Sequence, residues 1–296
     1  MDFLIKFDLM KNAYTLCIVA LFFSSTSAGQ TIESQVDQAH FLIQKNTIEF
    51  REIVQLDHHR MARRAGIHTP PSIASIFTDD SPVISRLVEK NQEVAMDLPF
   101  KFLAYSEVDT RTASITYTSA EFLQKRHGLT SEDLSTYHKI LDGLIDKFPQ
   151  ALINNPDLSA LDKGFGMIKI QSRFDFEKTE LTVRKILNAP ANLDTRIFAT
   201  IDFQKDAKTF GIDIRPTYLM MLGAPKPGGM AMATAPRIGL DAFCQKLLIY
   251  QDDQGDVYVA FSDMAAFSRL YYGTENKAQN VVTQRMTQAI KNNLGK

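Results

Sequence analysis

The segment 56–67, LDHHRMARRAGI, brings together three side-chain types that bind metals or anions. Imidazole and carboxylate groups are frequent ligands of transition metals, in sets of about three or four convergent groups. Adjacent residues of a helix point about 100° apart, so His58 and His59 do not readily share one ion. His58 is retained as a metal-ligand candidate, and both histidines are ligand-binding candidates. The alternative is structural, because Asp57 and Gly66 suit the two ends of a short helix.

The histidines of the chain are unevenly placed, since all six lie in the first 138 residues. A metal or haem site confined to this part would explain the asymmetry, and ordinary core or surface use explains it nearly as well. No HExxH, CxxC or CxxCH spacing favours the metal interpretation. The arginines of the same segment would either hold an anionic group or form a solvated face. They are Arg60, Arg63 and Arg64.

A second candidate is the loop GAPKPGG, residues 223–229, after an apolar strand. Backbone N–H groups at such a place can bind phosphate, but the loop has neither a Walker lysine-serine pair nor a GxGxxG pattern. A tight turn is the first interpretation and the rim of a small-ligand site the second. Methionines flank the loop and either soften a pocket wall, bind soft metals or fill an irregular core. The ligand-binding candidates here are Gly223, Pro225, Gly228 and Met230, and the other flanking methionines are Met220, Met221 and Met232.

No catalytic constellation is recognisable from the order of residues. Ser-His-Asp and Cys-His arrangements are not suggested, and Asp97 and Asp241 are interpreted as equivalent residues at the starts of strands. Cys244 lies in an apolar run and is expected to be a small buried hydrophobe. No cofactor can be named from the sequence.

Net charge argues against a polyanionic partner. The formal net charge is −1, and nucleic-acid binding draws on an excess of lysine and arginine. The hydrophobic fraction of 45% is that of a globular protein with a sizeable core.

The N-terminus carries the pattern of a secretory signal peptide. An uncharged apolar run from Ala13 to Phe23 follows Lys11 and ends in small residues at 26 and 28. We expect export to the periplasm or the extracellular space, cleavage after Ala28 and no membrane span afterwards. Either Met1 or Met10 is the true start.

The chain repeats itself at an offset of 145 residues. Residues 51–77 match residues 196–222, with Asp57 on Asp202 and Gly66 on Gly211. Each copy is predicted to contain a helix, a strand, a short helix, a strand, a second helix, an antiparallel hairpin and a long helix. Thr130 and Thr274 are expected to open the two long helices.

The predicted organisation is a signal peptide (1–28), a first repeat (29–148), a linker (149–163) and a second repeat with a C-terminal helix (164–296). The second repeat begins with a predicted strand at 166–172. Its counterpart falls at 21–27, inside the signal peptide. Either the mature first repeat lacks this strand or the segment is retained.

Several short features of the second copy resemble the domain of unknown function 302 family. They are GMIKIQSRFDFEKTELTVRKIL, TIDFQKDAKTFGIDIRPTYLMMLGAPKPGG, GLDAF and LLIYQDDQGDVYVAFSD, and the first copy keeps Asp57-His58, Asp97-Leu98-Pro99 and LQKRHGL. The second copy departs at Ala224 and at Ala242-Phe243, and the first copy has TDDSP in place of the glycine loop. The resemblance implies an α+β fold, in each copy a curved antiparallel sheet with helices on one face, similar to the TATA-binding-protein class. It implies no activity.

The sequence therefore favours an exported, non-catalytic protein that binds a small or hydrophobic ligand or a protein partner. The alternative is a metal- or haem-handling protein, a redox protein or an enzyme with its site around His58. A purely structural or assembly module is the third hypothesis.

Overall fold

The computed structural model describes residues 31–189 and 194–296. The predicted signal peptide, and the segment 21–27 that matches the first strand of the second copy, lie outside the described residues. Among the described residues, no helix is both long and apolar enough to cross a membrane.

The first repeat is a four-stranded antiparallel sheet, in the order β1-β2-β3-β4, with five helices. A short 3-10 segment, Gln92–Met96, precedes β3. Its elements are α1 (Ile32–Asn46), β1 (Arg51–Asp57), α2 (His58–Arg64), β2 (Ser72–Thr78), α3 (Val83–Lys90), β3 (Phe100–Tyr105), β4 (Ser114–Tyr117), α4 (Ala120–His127) and α5 (Ser135–Ile145).

The second repeat has the same elements in the same order and one further strand. Its antiparallel sheet has the order β5-β9-β8-β7-β6. A 3-10 segment, Pro236–Gly239, precedes β8. The elements are β5 (Met167–Gln171), α6 (Phe176–Leu187), β6 (Arg196–Asp202), α7 (Phe203–Lys208), β7 (Thr217–Gly223), α8 (Pro225–Met232), β8 (Gln245–Gln251), β9 (Val257–Ser262), α9 (Met264–Tyr272) and α10 (Lys277–Leu294). The predicted α+β fold with two tandem repeats is confirmed.

Strand pairing shows that the duplication extends to the register of the sheets. Arg51 pairs with Thr78 in the first repeat, and Arg196 pairs with Gly223 in the second, both 145 residues later. Each of these two strand pairs also has an irregularity after its second residue, at Glu52 and at Ile197. An irregularity repeated at the same offset indicates a common ancestral unit, because a shift by one residue would turn every side chain to the other face.

Local capping explains where the helices begin. The carboxylate of Asp57 accepts the backbone N–H of Arg60, and that of Asp202 accepts the N–H of Lys205. The predicted helix-capping role of both aspartates is confirmed.

The prediction for the two long helices needs correction. Thr130 forms a hydrogen-bonded turn with Asp133, but α5 begins only at Ser135. Helix α10 is capped by Asn276 in a capping box with Gln279 rather than by Thr274. Threonine and asparagine both cap helices well, so the sequence did not distinguish them.

The segment 149–163, predicted as a linker, packs along the edge of the first sheet. Ile153 forms a parallel bridge with Ile115 of β4, and the N–H of Asn154 donates to the Ile115 carbonyl at 2.9 Å. In the second repeat, the equivalent edge strand β9 pairs with β5 instead. The linker thereby covers an edge whose N–H and C=O groups would otherwise lack partners.

The two repeats contact each other across their sheets in a reciprocal way. The segment Gln92–Met96 packs against β7, β8 and β9, and its counterpart Pro236–Gly239 packs against β2 and β3. Helix α2 likewise packs on α8, and α7 on α3. One hydrophobic core therefore extends through both repeats. The repeats support each other in the fold.

Candidate functional site

A cavity of about 630 Å³ lies in the second repeat, between its sheet and the helices α6, α8 and α10. Small-molecule sites typically have volumes of about 300–1,000 Å³ and mostly apolar walls. The lining residues are Ile186, Leu187, Asp194, Thr195, Leu222, Gly223, Ala224, Lys226, Pro227, Gly228, Met230, Phe243, Gln245, Met264, Val282, Arg285, Met286 and Ala289. Size and composition make this cavity the candidate binding site.

Aromatic rings fill the equivalent space of the first repeat. Phe77 pairs with Phe100 across β2 and β3, and at the same register Leu222 pairs with Gln245 across β7 and β8. The rings of Phe77 and Phe100 stack at a centroid distance of 6.2 Å. Smaller or non-aromatic side chains at both positions leave that volume open in the second repeat.

The remaining cavity walls differ in the same direction. The offset of 145 residues places Tyr137 on Val282 and Phe50 on Thr195. In the first repeat, Phe100 stacks on Tyr137 at 4.8 Å and meets Phe50 edge-on at 5.9 Å. Protein interiors are close-packed, so smaller or non-aromatic groups in place of four aromatic rings account for a cavity in the second repeat only.

The cavity is lined by few polar side chains, which lie either deep in its wall or at its mouth. Deep in the cavity wall, Gln245 is 2% exposed, and its Nε2 donates to the Ser262 carbonyl at a long 3.5 Å. Its Oε1 has no hydrogen-bond partner among the described residues. At the mouth stand the exposed side chains of Lys226, Arg285 and Asp194. A buried, unpartnered carbonyl oxygen favours a hydrogen-bond donor from a bound molecule or from ordered water.

The loop GAPKPGG leads from β7 into α8 at the cavity mouth. Gly223, Gly228 and Met230 line the cavity, whereas Pro225 is the first residue of α8 and does not. The two prolines of this first turn have no N–H, and the N–H of Gly228 already donates to the Ala224 carbonyl. The loop therefore has too few free N–H groups to bind phosphate through its backbone.

The methionines around this loop do not form one group. Met220, Met221 and Met232 are buried in the core, while Met230 is 47% exposed at the cavity mouth. Core filling accounts for the first three, and only Met230 lies where a ligand would enter.

His58 lies behind the cavity and does not line it. Its ring packs against Phe243 at a centroid distance of 5.4 Å, and Phe243 itself lines the cavity. Both ring nitrogens of His58 are buried without a hydrogen-bond partner among the described residues. Burial, reinforced by the charge of Lys246, lowers the pKa of His58 to about 3, so the ring is neutral at physiological pH. Phe203 occupies the equivalent position of the second repeat.

The other candidates of the first segment have internal partners. His59 Nδ1 lies 2.7 Å from the carbonyl oxygen of Thr69 and donates to it. Within the ranges 31–189 and 194–296, no group of at least three His, Cys, Asp or Glu side chains lies together where it would hold a metal ion. The structure thus does not bring His58 and His59 together as one site.

Two of the three arginines of this segment, Arg60 and Arg63, bind carboxylates from helix α1. Arg60 forms ion pairs with Asp37 at 2.7 Å and Glu33 at 2.9 Å, and also with its own neighbour Asp57 at 2.7 Å. Arg63 pairs with Glu33 at 3.1 Å. An external anion would have to displace these carboxylates, so the anion-site hypothesis is not supported for either arginine.

Asp97 is the centre of a buried ionic cluster that the sequence did not predict. Its side chain is fully buried and accepts from Arg126 Nη1 at 2.6 Å, His127 Nε2 at 2.7 Å and Lys101 Nζ at 3.2 Å. Burial disfavours the charge, but Arg126 and Lys101 more than offset it and hold the pKa of Asp97 well below its usual value. An ionised carboxylate only accepts, so His127 carries its proton on Nε2. Burial lowers the pKa of His127, which keeps the ring neutral.

Asp241, the counterpart of Asp97, joins the same cluster from the second repeat. Lys101 Nζ lies 3.1 Å from Asp241 Oδ1 and thereby bridges the two aspartates. Tyr271 donates to Asp241 Oδ2 at 2.6 Å, and Thr118 donates to Oδ1 at 3.3 Å. The cluster is therefore an ionic link between the repeats.

This cluster has no room for a substrate. Asp241 and Tyr271 border a void of about 10 Å³, which holds at most about one water molecule. Lys246 donates to the carbonyls of Leu240, Asp241 and Cys244, and burial together with Lys101 lowers its pKa to about 8. A clue was present in the sequence, because Lys101 and Lys246 each interrupt an apolar strand. Their partners become visible only in the folded chain.

The chain has distant similarity to several curated proteins. The chain is 24% identical over 168 residues to the fluoride-specific ion channel FluC 2 of Brucella melitensis and to FluC 1 of Brucella suis. This match covers 56% of the chain and 59% and 63% of those two proteins. Among solved structures, an uncharacterised conserved DUF302 protein from Bacillus stearothermophilus is 11% identical, with a TM-score of 0.35. That likeness covers 44% of this chain and 95% of the other.

A family model covers most of the chain in two separate stretches. The model for the domain of unknown function DUF302 matches residues 28–148 and again residues 168–293. These stretches coincide with the two sheets and their helices. The chain belongs to the DUF302 family and contains two diverged copies of its domain.

Proposed function

We propose that the second repeat binds a small molecule with a largely apolar body, and that the protein is a non-catalytic binding protein. The observation that carries the proposal is the cavity of about 630 Å³ at the place where aromatic rings fill the first repeat. The walls of this open cavity are largely apolar, so an apolar molecule that covers them would be stabilised by the burial of that surface.

The first repeat supports this site by holding one of its walls. A Cβ atom on Gly229 of α8 would lie 2.7 Å from Ala62 Cβ of α2, so the two helices are in close contact. The ring of Phe243 similarly lies directly on Gly228, where an added Cβ would be 2.0 Å from it. Helix α8 is thereby fixed before a ligand arrives, which lowers the entropic cost of binding.

Filling the cavity with aromatic rings, as in the first repeat, tests the proposal. The neutral, environment-sensitive dye Nile red is titrated into the wild-type protein and into the double variant Leu222→Phe/Val282→Phe. We expect the dye to bind the wild type and to bind the double variant at least about tenfold more weakly, a difference of about 1.4 kcal/mol. Leu181→Phe, on the exposed face of α6, is the matched control and should bind like the wild type. Equal dye affinity in a folded double variant would refute the proposal.

A metal- or haem-handling role around His58 is the second candidate. The observation that favours it is the pair of buried, unpartnered ring nitrogens of His58. Protein purified from its native host without a histidine tag should then contain stoichiometric metal or haem that is lost in His58→Ala. Retention of the metal in that variant would contradict the role of His58.

For localisation, the proposal is export with cleavage after Ala28, supported by the uncharged apolar run behind Lys11. Mass spectrometry of the protein from its host should then find Gly29 at the N-terminus. An intact N-terminus on the exported protein would show that the leader is retained.

A further inference from the structure

We infer that the molecule in the cavity is a single-chain amphiphile whose small anionic head group, a carboxylate or a phosphate, is held at the mouth by Lys226 and Arg285. This inference rests on the proposed function and specifies its ligand. The alkyl chain lies inside, among aliphatic and methionine side chains.

The two cations are available to a ligand. Lys226 lies in the first turn of α8 and Arg285 on α10, and both line the cavity from its exposed side. Neither forms an ion pair or a side-chain hydrogen bond with the described residues, whereas Arg60 and Arg237 are paired with carboxylates. Two unpaired cations at the mouth of an apolar cavity match the charge of an anionic head.

Comparison with the first repeat shows that the charge at the mouth changed together with the cavity. Ser81 stands at the position of Lys226, and Ile140 at that of Arg285. The rim of the first repeat has two carboxylates, at 79 and 80, where the second repeat has alanine and proline. The repeat without the aromatic filling is thus also the one that lacks these two carboxylates and carries two additional cations.

One carboxylate remains at the mouth. Asp194 is exposed there and is the only acidic residue among the described residues that line the cavity. With two cations against one anion, the mouth keeps a net positive charge. A monovalent or divalent anion is therefore attracted, and a cationic amphiphile is disfavoured.

The interior favours a flexible chain over a polar ring system. Leu222, Val282 and Ala289 offer only apolar surface, and Met264 and Met286 adapt to an irregular occupant. Among the described lining residues, Gln245 is the one deeply buried polar side chain, and its free Oε1 accepts from a water molecule or from a hydroxyl group on the chain. A sugar or nucleotide would leave many more of its polar groups unpaired there.

Three probes of equal chain length test the inference by displacement of Nile red from the folded mature protein. They are decanoate, decyl phosphate and the uncharged 1-decanol. At low salt we expect at least one anion to bind about tenfold or more tightly than decanol, because two charge-assisted contacts are gained. Added salt should reduce the preference, because the mouth is open to solvent.

The double variant Lys226→Gln/Arg285→Gln should abolish the anion preference and leave the affinity for decanol unchanged. Lys185→Gln/Lys291→Gln removes the same charge from α6 and α10 at positions outside the cavity and should behave like the wild type. Equal binding of decanol and both anions, or an anion preference that survives in the first double variant, would overturn the inference while the cavity proposal stands. A second result would also overturn the inference. In that case the dye binds the wild type but not Leu222→Phe/Val282→Phe, and none of the three probes displaces it. If the dye binds the wild type and the folded Leu222→Phe/Val282→Phe variant equally well, the proposed function itself is refuted.

Discussion

The two repeats have the same strand register, but the space between sheet and helices is filled in one and open in the other. In the first, aromatic rings occupy the space between the sheet and the long helix, and in the second that space is a cavity. The difference is confined to side chains. The backbone of each repeat depends on the alternation of inward- and outward-facing residues along the strands and on the residues that cap the helices, and both are shared. A duplicated fold can therefore keep one copy closely packed while the other contains a cavity.

The buried charges differ between the copies as well. Asp97 is held by two cations and a neutral histidine, while Asp241 shares Lys101 and otherwise accepts from the hydroxyls of Tyr271 and Thr118. The two equivalent aspartates thus differ in the number of charged groups that contact them. The first repeat supplies most of the charged groups of the ionic link.

The largest expected effect comes from removing the charge of Asp97. Asp97→Asn leaves Arg126 and Lys101 buried with too little negative charge, so we expect a loss of about 3–5 kcal/mol in the free energy of unfolding. Asp241→Asn should cost less, about 1–3 kcal/mol, because Lys101 keeps Asp97. Urea denaturation at neutral pH measures both. Equal costs would show that the two repeats bear the ionic link equally.

His58→Phe installs the residue found in the second repeat and should remove a source of acid sensitivity. The folded pKa of His58, about 3, lies below its ordinary value of 6.5, so between these values the unfolded state binds more protons. The free energy of unfolding therefore falls as pH is lowered through this window, by about 1.4 kcal/mol per pH unit. When the pH is lowered from 7 to 5, the free energy of unfolding of His58→Phe should therefore rise by about 2 kcal/mol relative to that of the wild type.

Phe203→His provides the converse of that experiment in the second repeat. It should introduce acid sensitivity of the same sign, because Phe203 is 2% exposed and a histidine there would be desolvated. Urea denaturation across pH 5–7 compares the variants. Parallel pH profiles for the wild type and His58→Phe would contradict the assignment.

A smaller effect is expected from exchanging one wall residue in each direction. Phe77→Leu opens space in the packed first repeat and should cost about 1–2 kcal/mol of the free energy of unfolding. Leu222→Phe enters existing space and should change the same free energy by less than about 1 kcal/mol. Similar costs in both directions would mean that the second repeat has no usable cavity in solution.

The smallest effect concerns Cys244, whose thiol should resist chemical modification in the folded protein. The thiol is 1% exposed and burial raises its pKa, so little thiolate forms and no reagent reaches it. A thiol-specific dye should label the native protein far more slowly than the urea-unfolded protein. Rapid labelling of the native protein would indicate that the core around β8 opens readily.

Much of the fold was predictable because it depends on local patterns. The helix caps Asp57 and Asp202 and the paired hairpins follow from residue type, spacing and repetition. The start of α10 was missed because several residues near it can cap a helix equally well.

The candidate site was predictable only in pieces. Gly223, Gly228 and Met230 were singled out and do line the cavity, but Lys226, Gln245 and Arg285 were not. These three come from segments far apart in sequence, and each by itself is an ordinary polar residue. His58 and His59 attracted attention as a pair, yet the fold directs one into the core and the other to the Thr69 carbonyl.

By itself, the sequence determined the duplication, the family and the order of elements, because these depend on periodicity and on motifs that recur at a constant offset. Only the tertiary structure decided that the second repeat has a cavity where aromatic rings pack in the first. It also decided that Lys101 forms ion pairs with two aspartates from different repeats. Volume and charge balance are properties of side chains that meet in space. No single segment of the chain carries the information about which side chains meet.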